Sequence, residues 1–296
     1  MLTYHPGSGS DDFSGFSILI PTWNNLPFLQ LCIRSLRQNS SLRHQYLVHV
    51  NEGVDGTLEW VRRQPDIAYT HSPENIGICY PLNALAGLAA TDYIAYFNDD
   101  MYALPGWDEV LLQEIRAVGH ERFFLSATMI EPYDTGNPCV IHADYGRRLE
   151  DFREADLKRD FTQWPKPDWR GATWPPNVVH RRTWELVGGY SVEFSPGIYS
   201  DPDFSHKLWL AGVRDFRGLG AARVYHFGRQ STGRLKGHRG RTLFRGKWRL
   251  SPGTFLRHHL RLGEPITDTA APSNVPSPTP AATRWKDRWK RLREAW

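Results

Sequence analysis

Tyr93-Ile-Ala-Tyr-Phe-Asn-Asp-Asp-Met101 is an apolar run of strand length that ends in two adjacent carboxylates. A short apolar run of this kind suits a strand buried on both faces of a sheet. Asp99 and Asp100 then stand at its carboxyl end. Carboxylates crowded there repel one another unless a cation neutralises them, and hard oxygen donors favour Mg²⁺ or Mn²⁺. An ion held in that way is suited to gripping a diphosphate. Asp is also common at helix N-caps and in turns, and the segment alone leaves both readings open.

The segments before it repeat one pattern. Phe16–Pro21 is a short apolar strand closed by proline, and Thr22–Pro27 is a loop. In Phe28–Gln38 the residues Phe28, Leu31, Cys32, Ser35 and Leu36 recur at helical spacing. Gln45–Val50 reads as a strand, Asn51–Gly56 as a turn, Thr57–Gln64 as a helix and Asp66–Thr70 as a strand. A further helix opens at Asn75-Ile-Gly77 and runs to about Ala90. Strand–loop–helix repeated this often argues for a mainly parallel α/β sheet with helices on both faces. Ligands bind at the carboxyl ends of such strands, so the loops at 21–27, 51–56 and 98–102 are expected to converge.

Beyond Asp100 the pattern loosens. Pro105–Ala117 and Pro202–Ala211 have helical spacing, while Phe123–Ile130 and Ala221–Phe227 read as strands. Residues 131–180 are rich in Pro, Trp and Asp without a clean period, which is long for a featureless loop and points to a functional insertion.

Composition narrows the class. The 296 residues are 40% hydrophobic and 13% aromatic with 12 Trp, which excludes a disordered or collagen-like chain. No apolar stretch has the length of a membrane span, and the polar N-terminus has no signal-peptide pattern. The cysteines Cys32, Cys79 and Cys139 lack metal-ligand spacing and read as reduced thiols, so a cytoplasmic location is expected. The net charge of +4 lies wholly in Thr283–Trp296, where six basic and two acidic residues stand. With a neutral body, nucleic acid is not the expected partner. Trp285, Trp289, Leu292 and Trp296 share one helical face of that tail. A basic helix carrying tryptophans fits an anionic membrane surface, on the inner face of the membrane here, or alternatively packs on protein.

An ordered series of motifs carries a resemblance. It comprises Phe16-Ser-Ile-Leu-Ile-Pro-Thr-Trp-Asn-Asn25, Asn51-Glu-Gly-Val-Asp-Gly-Thr57, Glu74-Asn-Ile-Gly77 with Asn83, and Asn98-Asp-Asp100. Gly188-Gly-Tyr190, Ser200-Asp-Pro-Asp203 and Tyr225-His226 complete it. Over about residues 16–232 the chain resembles a family 2 glycosyltransferase of the GT-A fold, a Rossmann-like α/β sheet flanked by helices. The resemblance implies a nucleotide-sugar donor, most commonly of the uridine or thymidine diphosphate type. It also implies a divalent cation (Mn²⁺ or Mg²⁺), inversion at the anomeric carbon, and a glycan or lipid-linked acceptor, as in cell-surface polysaccharide synthesis.

By position, Pro21, Thr22 and Trp23 would border the nucleobase and Glu52 would meet base or ribose. Asn25, Asn75, Gly77, Asn83, Asn98 and Asp99 join the nucleotide-sugar contacts. Asp100 matches a metal ligand, His226 the late histidine that completes metal or diphosphate binding, and Asp201 the general base. Arg229, Arg234 and Lys236 are candidates to cover the phosphates. Trp174, Asn177, Gly188 and Gly189 are candidates for the acceptor side.

The implied organisation has a flexible N-terminus over 1–15 and a GT-A domain over 16–262. That domain divides into a nucleotide-binding half (16–102), an acceptor-binding half (103–228) and a basic lid (229–249). A Pro-rich linker (263–282) and a basic tail helix (283–296) follow.

Three departures from the family pattern bear on specificity. Asn98 stands where the family often has its first Asp, the 51–57 turn is one residue short, and Ser200 replaces a frequent Glu before the base. Two other readings compete. A nucleotidyltransferase of similar fold would want a basic, Gly-rich first loop, which Pro21–Pro27 is not. A degenerate, non-catalytic sugar- or nucleotide-binding module is disfavoured by the neutral body and by Asp99, Asp100, Asp201 and His226 being retained together.

Overall fold

Eleven strands pair into one sheet in the computed structural model, which describes residues 2–7, 12–228, 239–267 and 281–294. The strands are β1 (Thr3–His5), β2 (Ser17–Trp23), β3 (Gln45–Asn51), β4 (Ile67–Ser72), β5 (Tyr93–Tyr96) and β6 (Met101–Ala103). They continue with β7 (Phe123–Glu131), β8 (Ile141–His142), β9 (Trp169–Arg170), β10 (Asn177–His180) and β11 (Asp215–His226). Their order is β1-β4-β3-β2-β5-β10-β7-β11-β6, with β8 on β7 and β9 on β11.

The helices are α1 (Leu26–Asn39), α2 (Thr57–Arg62), α3 (Cys79–Ala86), α4 (Trp107–Val118) and α5 (Glu154–Asp160). After them come α6 (Arg181–Val187), α7 (Ser200–Leu210), α8 (Gly240–Trp248), α9 (Pro252–Thr254, continued by a π turn over Phe255–His259) and α10 (Ala281–Glu294). Among the described residues no helix is long and apolar enough to cross a membrane.

Alternation along β2 divides the core. Ile18 and Ile20 face Cys32, Ile33 and Leu36 of α1 and Trp107 and Leu111 of α4. Leu19 faces the other layer, which holds Leu82 and Leu85 of α3, Phe204 and Leu208 of α7, and Phe244 of α8. Side chains of period two on a strand buried on both faces produce this split. The α1 start is held from outside: Pro27 occupies its first turn, and the Asp55 carboxylate accepts from Leu26 N at 2.9 Å.

The parallel expectation holds for β4, β3, β2 and β5, all parallel neighbours. Elsewhere the sheet is mixed. β10 runs antiparallel to both β5 and β7, and β6 and β9 run antiparallel to β11. These added strands have two to four residues, too few to leave a period in the sequence. β10 lies inside the stretch that carried no period.

The N-terminus corrects another expectation. Thr3–His5 is not loose but pairs with β4, with Tyr4 opposite Thr70. The start of the expected linker is likewise engaged: Gly263 N donates to Arg170 O and Ile266 N to Asp168 O, each at 2.9 Å. Within the expected lid, 240–248 is the helix α8.

Candidate active site

Register, rather than sequence proximity, builds the acidic centre. Antiparallel pairing sets His226 of β11 opposite Met101 of β6, and so beside Asp100. Parallel pairing sets Tyr225 opposite Ile130, which brings Glu131 at the end of β7 to the same histidine. The result is a chain of three side chains. His226 Nε2 lies 3.3 Å from Asp100 Oδ1, and His226 Nδ1 lies 2.7 Å from Glu131 Oε1. Burial opposes charge on His226, but Asp100 and Glu131 outweigh it and push its pKa up to about 10. Asp99, also buried, accepts from the Thr22 hydroxyl at 2.6 Å.

Asp201 lies in the first turn of α7, after Tyr199, which adopts a left-handed conformation at φ 70°. The Tyr190 hydroxyl donates to Asp201 Oδ1 at 3.0 Å. Burial raises the Asp201 pKa to about 7, against that hydrogen bond, which lowers it. Asp203 plays a different part. It is fully buried, accepting from Trp248 Nε1 at 2.8 Å and pairing with Lys247 at 2.9 Å, and thereby clamps α8 onto α7.

A cavity of about 980 Å³ brings these groups together. Pro21, Asn98, Asp99, Asp100, Glu131 and His226 line one part of it, and Asp201 and Trp174 another. Arg241 and Arg245 of α8 and Lys290 of α10 add cations to its wall. Arg241 Nε donates to the Tyr199 hydroxyl at 2.8 Å. The volume is at the upper end of ordinary ligand pockets.

Several expected contacts do not line this cavity. Thr22 is turned to Asp99. Trp23 ends β2 opposite Asn51, and Asn25 occupies the N-cap of α1 without a side-chain cap bond. Glu52 accepts from Asn24 Nδ2 at 2.7 Å. Asn75 Oδ1 accepts from Gly77 N at 2.9 Å, closing a local turn. Gly77, at φ 79°, lies so close to Pro196 that a Cβ there would come within 2.6 Å of its Cα. That contact braces the loop leading to Asp201.

Asn83 is committed to backbone. Its Nδ2 donates to Tyr190 O at 2.7 Å and its Oδ1 accepts from Tyr190 N at 2.8 Å. A Cβ at Gly189 would collide with that same Oδ1 at 2.2 Å, and Gly188 ends α6 in a left-handed turn. These three residues therefore hold Tyr190 rather than face the cavity. Asn177 is buried in β10, between β5 and β7. Arg229, Arg234 and Lys236 lie outside the described residues.

Sequence reasoning did not single out Glu131, and it met Tyr190 only within the Gly188-Gly-Tyr190 motif, Arg241 and Arg245 only within the basic 229–249 segment and Lys290 only within the basic tail. Glu131 had a signal: it ends an apolar strand in an acid, as Asp99 and Asp100 do. For Arg241, Arg245 and Lys290 the sequence marked a basic segment but not which side chains reach the cavity, because α8 and α10 come to it only through tertiary packing.

Residues 17–158 match the model of the Glycosyl transferase family 2. Among solved structures, the chain is similar to S. aureus TarS 1–349. The TM-score is 0.53 at 15% identity, with 72% of this chain and 60% of the TarS chain covered. A TarS 1–349 structure in complex with UDP aligns at TM-score 0.48 and 13% identity, over 71% of this chain and 60% of that one. The chain thus spans about three-fifths of the TarS chains it matches. No curated protein sequence matches it. The motif series, the sheet with its carboxyl-edge acids and the solved structures agree on the fold, a GT-A type α/β sheet flanked by helices, of which residues 17–158 match Glycosyl transferase family 2.

Proposed function

We propose that the enzyme is a metal-dependent, inverting glycosyltransferase. It moves a sugar from a nucleoside diphosphate donor, of the uridine or thymidine type, to a hydroxyl of a glycan or lipid-linked acceptor. One observation carries the reading: the Asp100–His226 pair and the separate Asp201 carboxylate line a single cavity.

The donor set fits a divalent cation. A buried carboxylate oxygen and an imidazole nitrogen lie 3.3 Å apart, and adjacent donors around Mg²⁺ or Mn²⁺ stand about 3 Å apart. Among the described residues no group of three or more His, Cys, Asp or Glu is placed to hold a metal alone. Mg²⁺ takes one or two protein carboxylates and completes its shell with water and substrate phosphates. Asp100 and His226 would hold it. When bound, the ion supplies positive charge against the charge that grows on the leaving diphosphate.

The chain's own residues account for the rest. Asp201 takes the proton of the acceptor hydroxyl while that oxygen bonds to the anomeric carbon. The bond from that carbon to the diphosphate breaks, and its electron pair departs with the diphosphate. Attack opposite the leaving group inverts the centre. Tyr190 holds Asp201 in place, and Asn83 and Gly189 hold Tyr190. Glu131 accepts from His226 Nδ1 and keeps Nε2 turned to Asp100, the role an outer carboxylate plays for a metal-binding histidine. Arg241, Arg245 and Lys290 add fixed positive charge to the wall.

Titration calorimetry of uridine diphosphate, with Mn²⁺ and with a chelator, tests the reading. Wild type should bind in a Mn²⁺-dependent way and Asp100→Ala should lose that dependence. Binding by Asp100→Ala that still depends on Mn²⁺ would remove Asp100 from the site.

A further inference from the structure

Asp287 decides which way the C-terminal helix faces. It is buried in α10, and its Oδ2 accepts from Ser251 N at 3.2 Å, so that side of the helix lies against the body. Lys290, three residues on, lies toward the same side and lines the active cavity. At about 100° per residue, Trp285 and Trp289 each stand about 200° from Asp287 and must point outward. They do: Trp285 is 60% and Trp289 61% exposed.

This surface is unusual in two respects. The indoles lie one turn apart on one face, where they gain nothing from the core. Exposed Lys286 and Arg288 flank them, the Arg288 guanidinium 5.7 Å from the centre of the Trp285 ring. The tail accounts for the whole net charge of the chain, and its acid Asp287 is turned to the body, where it accepts from Ser251 N. Indoles favour the boundary between headgroups and acyl chains, and basic residues beside them are drawn to anionic lipid. Hydrophobic residues backed by a basic fringe are the design of a helix that lies in that boundary.

We propose that α10 docks on an anionic lipid surface through Trp285 and Trp289, with Lys286 and Arg288 against the headgroups. Because Lys290 of the same helix lines the cavity, docking brings the catalytic cavity next to the bilayer.

Flotation of the full chain with vesicles tests it. The vesicles are phosphatidylcholine alone or with about 30% phosphatidylglycerol, at about 0.1 M and then about 0.5 M salt. Binding to the anionic vesicles should exceed binding to neutral ones by more than about tenfold and should fall at the higher salt. Lys286→Gln with Arg288→Gln should weaken it by about 25-fold, each basic residue near the surface being worth about fivefold. Trp285→Ala with Trp289→Ala should weaken it by at least about tenfold. The two tryptophans are exposed, so an unchanged melting temperature of that variant shows that the fold is intact. Equal binding to both vesicles, or no effect of the tryptophan pair, would overturn the proposal. So would a dimer, seen by light scattering, that the tryptophan pair abolishes, because the face would then be a contact between copies.

Discussion

Asp201 and His226 show how little residue identity says without its neighbours. Both are ionisable groups on one cavity, yet burial leaves Asp201 with a pKa of about 7, while two carboxylates drive His226 to about 10. A base with a pKa near neutrality can take a proton and return it to solvent. With Asp201 as the proposed base, only its ionised form takes the proton, and activity should fall about tenfold per pH unit below about 7. The Tyr190 hydrogen bond lowers that pKa, so Tyr190→Phe should shift the acid limb of the kcat/KM profile upward. Asp201→Asn should lower kcat by about 10²–10⁴-fold while uridine diphosphate still binds. Turnover of Asp201→Asn at the wild-type rate would show that another group is the base. Glu131 gives a separate prediction. Glu131→Ala should weaken Mn²⁺ binding, read by calorimetry, by about 10–100-fold. Glu131→Gln, which keeps an acceptor oxygen for His226 Nδ1, should recover much of it.

At the scale of elements, the site is held by cross-bracing between segments distant in sequence. Asn83 of α3 ties down the turn after α6 through both its amide atoms, 107 residues away. Gly77 lets the β4–α3 loop pass against Pro196, and Asp203 fastens α8 to α7. Each brace fixes a segment that lines the cavity or leads into it. Asn83→Ala leaves a backbone donor and acceptor of Tyr190 without their partners, which costs about 1–3 kcal/mol. Denaturant unfolding should register that loss. Because Tyr190 holds Asp201, kcat should fall further than the lost stability accounts for. An equal loss in a variant remote from the cavity, such as Asp108→Asn, whose carboxylate caps the 41–42 turn, should leave kcat unchanged.

For the molecule as a whole, the acids at the carboxyl edge of the sheet and the cations of α8 and α10 face one cavity. An occupied cavity should therefore stabilise the fold. Uridine diphosphate with Mn²⁺ at about 100 times its Kd should add about 2.7 kcal/mol, visible as a rise in melting temperature. Removing the ion with a chelator should reverse most of that rise. The parallel half of the fold was legible from the residues alone. Its strands are apolar runs whose side chains alternate, its helices bury a stripe at helical spacing, and both periods are local properties of the chain. The acids at 99–100 were legible for the same reason, since a polar pair after a buried strand has one place to go. The alliance of Asp100, His226 and Glu131 was not legible, because it depends on the pairing register of β6, β7 and β11. Sequence order says nothing of register when the strands are far apart in the chain. The facing of α10 was beyond local pattern too: its periodicity marks out a tryptophan stripe, but burial of Asp287 against Ser251 turns Trp285 and Trp289 outward. Long-range packing resolves such choices, because the free energy that separates them resides in contacts between segments rather than within any one of them.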